Sequence, residues 1–161
     1  MEERNEIVRW YAVKVFFNRM SPLREQLILD GVNFFVPDAI KSLLFIQVSD
    51  SYLASFESSN YSRVWIYRNL LTGKPSAIPD REMELFIFVC TAGERGLSYL
   101  GEDRPEYHQG DRVRVIEGPL KGAEGYIKRI KKDRRLVVSV RGVVAVATMH
   151  IPPEFIETIT E

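Results

Sequence analysis

The chain has 161 residues, enough for one ordinary domain or two small ones. Its hydrophobic content of 45% is that of a globular protein, and no apolar run reaches the ~18 residues of a membrane-spanning helix. Formal net charge is zero, yet residues 1–100 carry 11 Lys/Arg against 12 Asp/Glu (−1) while residues 110–161 carry 10 against 7 (+3). The opening Met1-Glu2-Glu3-Arg4-Asn5 lacks the apolar stretch of a signal peptide. A single cysteine, Cys90, excludes an internal disulfide and suits a reducing, cytoplasmic setting.

Residues 9–17 are aromatic and β-branched and predict a strand. Alternation sends Tyr11, Val13 and Val15 to one side, as core, and Trp10, Ala12 and Lys14 to the other. Ser21-Pro22 predicts a helix start, serine as N-cap and proline as first helical residue. Leu23, Leu27 and Ile28 would share its buried face, and Asp30-Gly31 would end it. Short strands follow at 32–36 and 42–48. The second is apolar on both faces and so should be central. Residues 50–58 predict a helix, 63–68 a strand and Thr72-Gly73-Lys74-Pro75 a turn. Pro79 opens the last helix, with apolar positions Met83, Phe86, Ile87 and Cys90. The order β-α-β-β-α-β-α predicts an α+β domain over residues 1–91.

Residues 92–109 are polar and hold three glycines and a proline, the composition of a linker. From 110 to 161 the pattern is all strand, at 112–116, 124–130, 135–141, 143–149 and 155–159, which predicts a small β-barrel. Lys128, Arg129, Lys131, Lys132, Arg134 and Arg135 put six cations into eight residues. They fit either a solvated hairpin tip or a contact to RNA phosphates. No aromatic is interleaved with them, so base stacking is not expected.

Nothing in the sequence assembles an enzyme. His108 and His150 stand alone, and Cys90 lies on an apolar helix face. There is no metal-ligand spacing, no phosphate-binding loop and no nucleophile motif, so neither catalytic residues nor cofactor nor metal is expected. Leu43 and Phe45 alternate onto one face of the central strand. Trp10, Leu43, Phe45, Met83 and Phe86 fit either of two readings: each is core, or, since two or three short helices cannot easily bury both faces of so small a sheet, one apolar face remains for a partner helix.

Gly110, Val113, Val115, Gly118, Pro119, Gly122 and Gly125 have the spacing of the KOW motif, and this stretch resembles the opening of the SH3-like barrel in NusG-type transcription factors and several ribosomal proteins. The N-terminal stretch is similar to the NusG N-terminal domain in its Trp10-Tyr11-Ala12-Val13, Phe35-Val36-Pro37, Leu-Leu-Phe-Ile strand and Ile78-Pro79-Asp80-Arg81-Glu82. The shared Phe-Phe-Val-Pro and Leu-Leu-Phe stretches look like those of the UpxY-like antiterminators of capsular polysaccharide operons. General elongation factors carry Pro-Gly-Tyr where Lys41-Ser42-Leu43 stands here, which points to a specialised paralogue. The resemblance implies a monomeric antitermination or elongation factor with no membrane attachment. It would grip the clamp helices of RNA polymerase through Leu43, Phe45, Met83 and Phe86, with Trp10 nearby. The KOW domain would recruit a ribosomal protein or termination factor, or touch nascent RNA or DNA. Only four residues separate Pro37 from Ser42, where the family has a longer basic loop, so contacts through such a loop are not carried over. The alternative class is a translation-associated KOW protein that binds ribosomal RNA.

Overall fold

The computed structural model describes residues 6–16, 18–93 and 95–159. Met1 to Asn5, Phe17 at the end of the expected first strand, and Glu94 in the expected linker lie outside them. The described residues form two antiparallel sheets and three α-helices, divided between two units, Met1–Asp80 and Arg81–Glu161. None of these helices is long and apolar enough to cross a membrane.

The first unit holds β1 (Arg9–Val15), α1 (Met20–Leu29), β2 (Asn33–Phe35), β3 (Leu43–Val48), α2 (Asp50–Ser59) and β4 (Val64–Ile66). Its sheet runs β2-β3-β1-β4, with β3 central as its two apolar faces require. The register pairs Tyr11 with Ile46 and Val13 with both Leu44 and Ile66. Paired residues share a face, so these side chains stand together against Leu23 and Leu27 of α1 and Leu53 and Phe56 of α2. Tyr11 ties the layers: its hydroxyl donates to Asp50 Oδ1 at 2.8 Å. Helix α2 starts at an N-cap, Ser49, whose Oγ accepts from the Tyr52 N–H at 3.2 Å.

Helix α1 departs from expectation in two ways. It begins at Met20, one residue before the serine, with Arg19 as an N-cap that makes no side-chain bond. Ile28 is 65% exposed. A helix this short buries one narrow stripe, and Leu23 and Leu27, four apart, fill it. The C-terminus is as read: Asp30 caps it and Gly31 takes a left-handed φ of 69°.

The second unit holds α3 (Asp80–Ala92, its first residue closing the first unit), β5 (Ser98–Gly101), β6 (Arg112–Val115), β7 (Glu124–Ile130), β8 (Asp133–Val140), β9 (Val144–His150) and β10 (Ile156–Thr158). The strands form one sheet in the order β10-β6-β7-β8-β9-β5. Five match the expected segments. β5 does not: it lies in the stretch read as a linker, where Ser98 pairs with Ala147 and Tyr99 with Val146. The 3-10 turn Pro105–His108 follows it, and Leu100 and Tyr107 pack against Val137, Ala145 and Ala147. The division between units falls before α3, whereas the sequence pattern set it after that helix. In the second unit Arg81 donates to Glu124 Oε2 at 2.7 Å, and the Arg141 N–H donates to Glu82 Oε1 at 2.6 Å.

Candidate functional site

The expected docking residues lie on β1 and β3 of the first sheet and on α3. In the first sheet, pairing of Ala12 with Phe45, Lys14 with Leu43 and Phe35 with Phe45 puts these side chains on one face, with Trp10. The Phe35 and Phe45 rings sit 6.5 Å apart. The Ile78 N–H donates to Trp10 O at 2.8 Å, holding the chain beside the tryptophan. Met83 and Phe86 stand one turn apart on α3. The expectation that these side chains remain exposed is not met. Trp10 and Leu43 are 6% and 5% exposed, and Phe45, Met83 and Phe86 are at 0%. Each Å² of apolar surface left in water costs roughly 25 cal/mol, and the folded chain shields all five.

The stretch from Gly110 to Gly125 is built as a tight β6–β7 connection. Gly118 and Gly122 have φ of 88° and 97°, values a side chain would strain. They let Gly122 N–H reach Val115 O at 2.8 Å and Lys121 N–H reach Gly118 O at 3.1 Å. Val113, Val115, Leu120 and Ala123 are thereby turned inward and buried. Gly125 serves differently: a Cβ there would stand 2.2 Å from Val137 O on the neighbouring strand. Glu124 beside it meets Arg81 and Arg114, at 2.7 and 3.4 Å. Burial alone would raise its carboxyl, but the Arg81 hydrogen bond and the charges of Arg112, Arg81 and Arg114 outweigh that and hold it below the usual range.

The basic run forms the β7–β8 hairpin. Arg129 pairs with Arg134, Lys128 with Arg135 and Ile130 with Asp133, leaving Lys131 and Lys132 as the two-residue turn. The six cations are not equivalent. Lys128 Nζ donates to Gln109 O at 2.8 Å, and Arg135 bonds Ser98 Oγ at 3.1 Å and faces Asp133 at 3.6 Å. The side chains of Arg129, Lys131, Lys132 and Arg134 have no hydrogen-bond or ion-pair partner among the described residues.

Two features escaped the sequence reading. His108 Nε2 lies 2.7 Å from Asp103 Oδ2 and 3.3 Å from Ser139 Oγ, while Gly142 N–H donates to the same Asp103 oxygen at 3.0 Å. Both partners meet one ring nitrogen, so the histidine cannot take a proton from the serine while the aspartate orients its other side. The set is a clasp on the 3-10 turn, not a nucleophilic triad. Second, a groove of about 420 Å³ opens between α1 and α2, lined by Leu23, Gln26, Asp30, Tyr52, Phe56 and Arg63. Tyr52 donates to Asp30 Oδ2 at 2.7 Å and Gln26 to the same oxygen at 3.0 Å. Those two bonds, Gln26 first, lower the Asp30 carboxyl; burial and Asp30 raise the Tyr52 hydroxyl. Among the described residues no three His, Cys, Asp or Glu side chains are grouped to hold a metal. His150 is exposed and Cys90 half-buried.

No protein-family model matches the chain, and no curated protein matches it. Among solved structures, one reported under domain interaction in Thermotoga maritima NusG superposes with a TM-score of 0.54 at 16% identity, covering 95% of this chain and 98% of that one. The chain is similar in fold to NusG. The NusG-like fold thus extends over nearly all of the chain, both sheets included. The MjSpt4:Spt5 complex, in conformations B and A, matches at TM-scores of 0.35 and 0.34 with 14% and 12% identity. These two cover 94% of this chain and 97% and 99% of theirs.

Proposed function

We propose that this protein is a transcription elongation factor of the NusG type, specialised as an UpxY-like antiterminator for an operon such as one for capsular polysaccharide synthesis. The observation that carries the reading is the NusG-like fold over 95% of the chain, combined with a β6–β7 connection in which Gly118, Gly122 and Gly125 each have a physical reason to be glycine. In this reading the β6–β10 strands act as the KOW module, an SH3-like barrel that recruits a ribosomal protein or termination factor. The sheet face bearing Trp10, Leu43 and Phe45 docks the clamp helices of RNA polymerase, and Met83 and Phe86 of α3 contact the same partner. Since all five side chains are buried in the folded chain, docking requires that they be uncovered.

The test is capture of core RNA polymerase by the full chain, followed by elongation through a pause site. Aromatic anchors at the centre of an interface lose about 2 kcal/mol or more on truncation, so Phe45→Ala should weaken capture about tenfold or more. The ring is fully buried, so the substitution also destabilises the fold, and binding is measured well below the variant's own melting temperature. A folded Phe45→Ala variant that captures polymerase like the wild type removes the docking face. Failure of the wild type to bind polymerase removes the whole reading.

A further inference from the structure

We propose that the β7–β8 tip is a binding site for the phosphodiester backbone of a nucleic acid, centred on Arg129, Lys131, Lys132 and Arg134. The inference does not rest on polymerase docking. It rests on three features of the hairpin, the first two of which work against its own stability while the third leaves the charge uncompensated. Arg129 and Arg134 face each other across the ladder, a like-charge pair that repels. Lys131 and Lys132 have φ of 52° and 72°, the left-handed conformation that a two-residue hairpin turn demands and that Asn-Gly accepts with far less strain. Asp133, the one carboxylate within the run, faces Arg135 and neutralises none of the four.

Position completes the argument. β6 pairs with β7 only up to Tyr126, and β9 pairs with β8 only from Arg135. Beyond those pairings the side chains of Arg129, Lys131, Lys132 and Arg134 have no hydrogen-bond or ion-pair partner among the described residues, while Arg114 and Arg135 in the same sheet are each matched to carboxylates and Lys128 is bonded to Gln109 O. Arg129, Lys131 and Lys132 are exposed and Arg134 half-buried. Four uncompensated cations gathered at one hairpin tip make a local positive field fitted to a line of phosphates. Residues 127–134 contain no aromatic to stack a base and no Asn or Gln to read one, so the recognised chemistry is the backbone and not the sequence.

Fluorescence anisotropy of the full chain with a labelled 20-mer, as duplex DNA and as single-stranded RNA, tests this across salt. With four phosphate contacts, raising salt from 50 to 200 mM should weaken duplex binding about 150-fold and single-strand binding about 50-fold, which tells the two sources apart. Lys131→Asn with Lys132→Gly removes two charges and supplies the preferred turn residues. Its melting temperature should rise while the salt effect shrinks to about 12-fold and 7-fold. A purely structural tip cannot give tighter folding with weaker binding. Lys41→Gln with Lys74→Gln, an equal charge change in the first unit, should leave binding unchanged. The proposal is overturned by no binding of either strand form at 50 mM salt. It is equally overturned by a turn variant that binds as the wild type, or by a control variant that loses as much as the turn variant.

Discussion

Gly125→Ala tests whether the close approach of β7 to β8 is what demands a glycine. The added Cβ would lie 2.2 Å from Val137 O, 3.2 Å from Val137 C and 3.3 Å from Leu136 Cδ1. Ordinary van der Waals contact begins near 3.4 Å, so the two strands must part locally by more than 1 Å. The obstacle is backbone in the interior of a six-stranded sheet, and no rotamer change relieves it. Overpacking of this kind costs about 1–3 kcal/mol and sometimes more, and a weakened ladder hydrogen bond adds about 1 kcal/mol. A total of about 2–4 kcal/mol in a unit of this size corresponds to a fall in melting temperature of about 8–32 °C. Gly142→Ala provides the contrast. Its φ is +76° with nothing within 4 Å, so it bears only the left-handed strain of about 1–2 kcal/mol. Thermal unfolding followed by near-ultraviolet circular dichroism measures both. If Gly125→Ala melts no lower than Gly142→Ala, the strands can separate freely and the packing explanation of that glycine is wrong.

Thr148 is fully buried; its Oγ1 accepts from Leu136 N–H at 3.2 Å where the β8–β9 register shifts, and donates to Met149 O at 2.7 Å. Thr148→Val keeps the shape and orphans that amide, so stability should fall by about 1–3 kcal/mol and Leu136 N–H should exchange faster; unchanged exchange would place its hydrogen bond elsewhere. Glu124 binds its proton more weakly folded than unfolded, so its stabilisation is present above its ordinary value of 4.5 and is lost as pH falls through the lower folded value. Denaturant titrations from pH 6 to pH 3 should show a loss that is smaller in Glu124→Gln; equal slopes in the two proteins would mean that other carboxylates carry the acid sensitivity.

Local chemistry determined the parts of this protein that local chemistry can. Alternation of Tyr11, Val13 and Val15 against Trp10 and Ala12 assigned the two faces of β1, because side chains on a strand have a period of two whatever surrounds it. Gly118-Pro119 and Gly122 marked the tight connection, because their backbone requirements belong to the residues themselves. The order of strands and helices, the centrality of β3 and the basic hairpin were legible for the same reason.

What needed partners distant in sequence was not. β5 is four residues, Ser98–Gly101, inside a polar, glycine-rich stretch, too short to signal a strand by itself, and it pairs with the edge of β9 some fifty residues later. The clasp of His108 on Asp103 and Ser139 joins residues from separate turns and strands that no spacing rule connects. Of the six hairpin cations, only the tertiary structure could separate Lys128 and Arg135, which find Gln109, Ser98 and Asp133, from the four that find nothing. Phe45 gives the same lesson in the candidate docking face. Its side of the strand followed from alternation, but its exposure depended on what the rest of the chain covers, and burial is a property of the assembled fold.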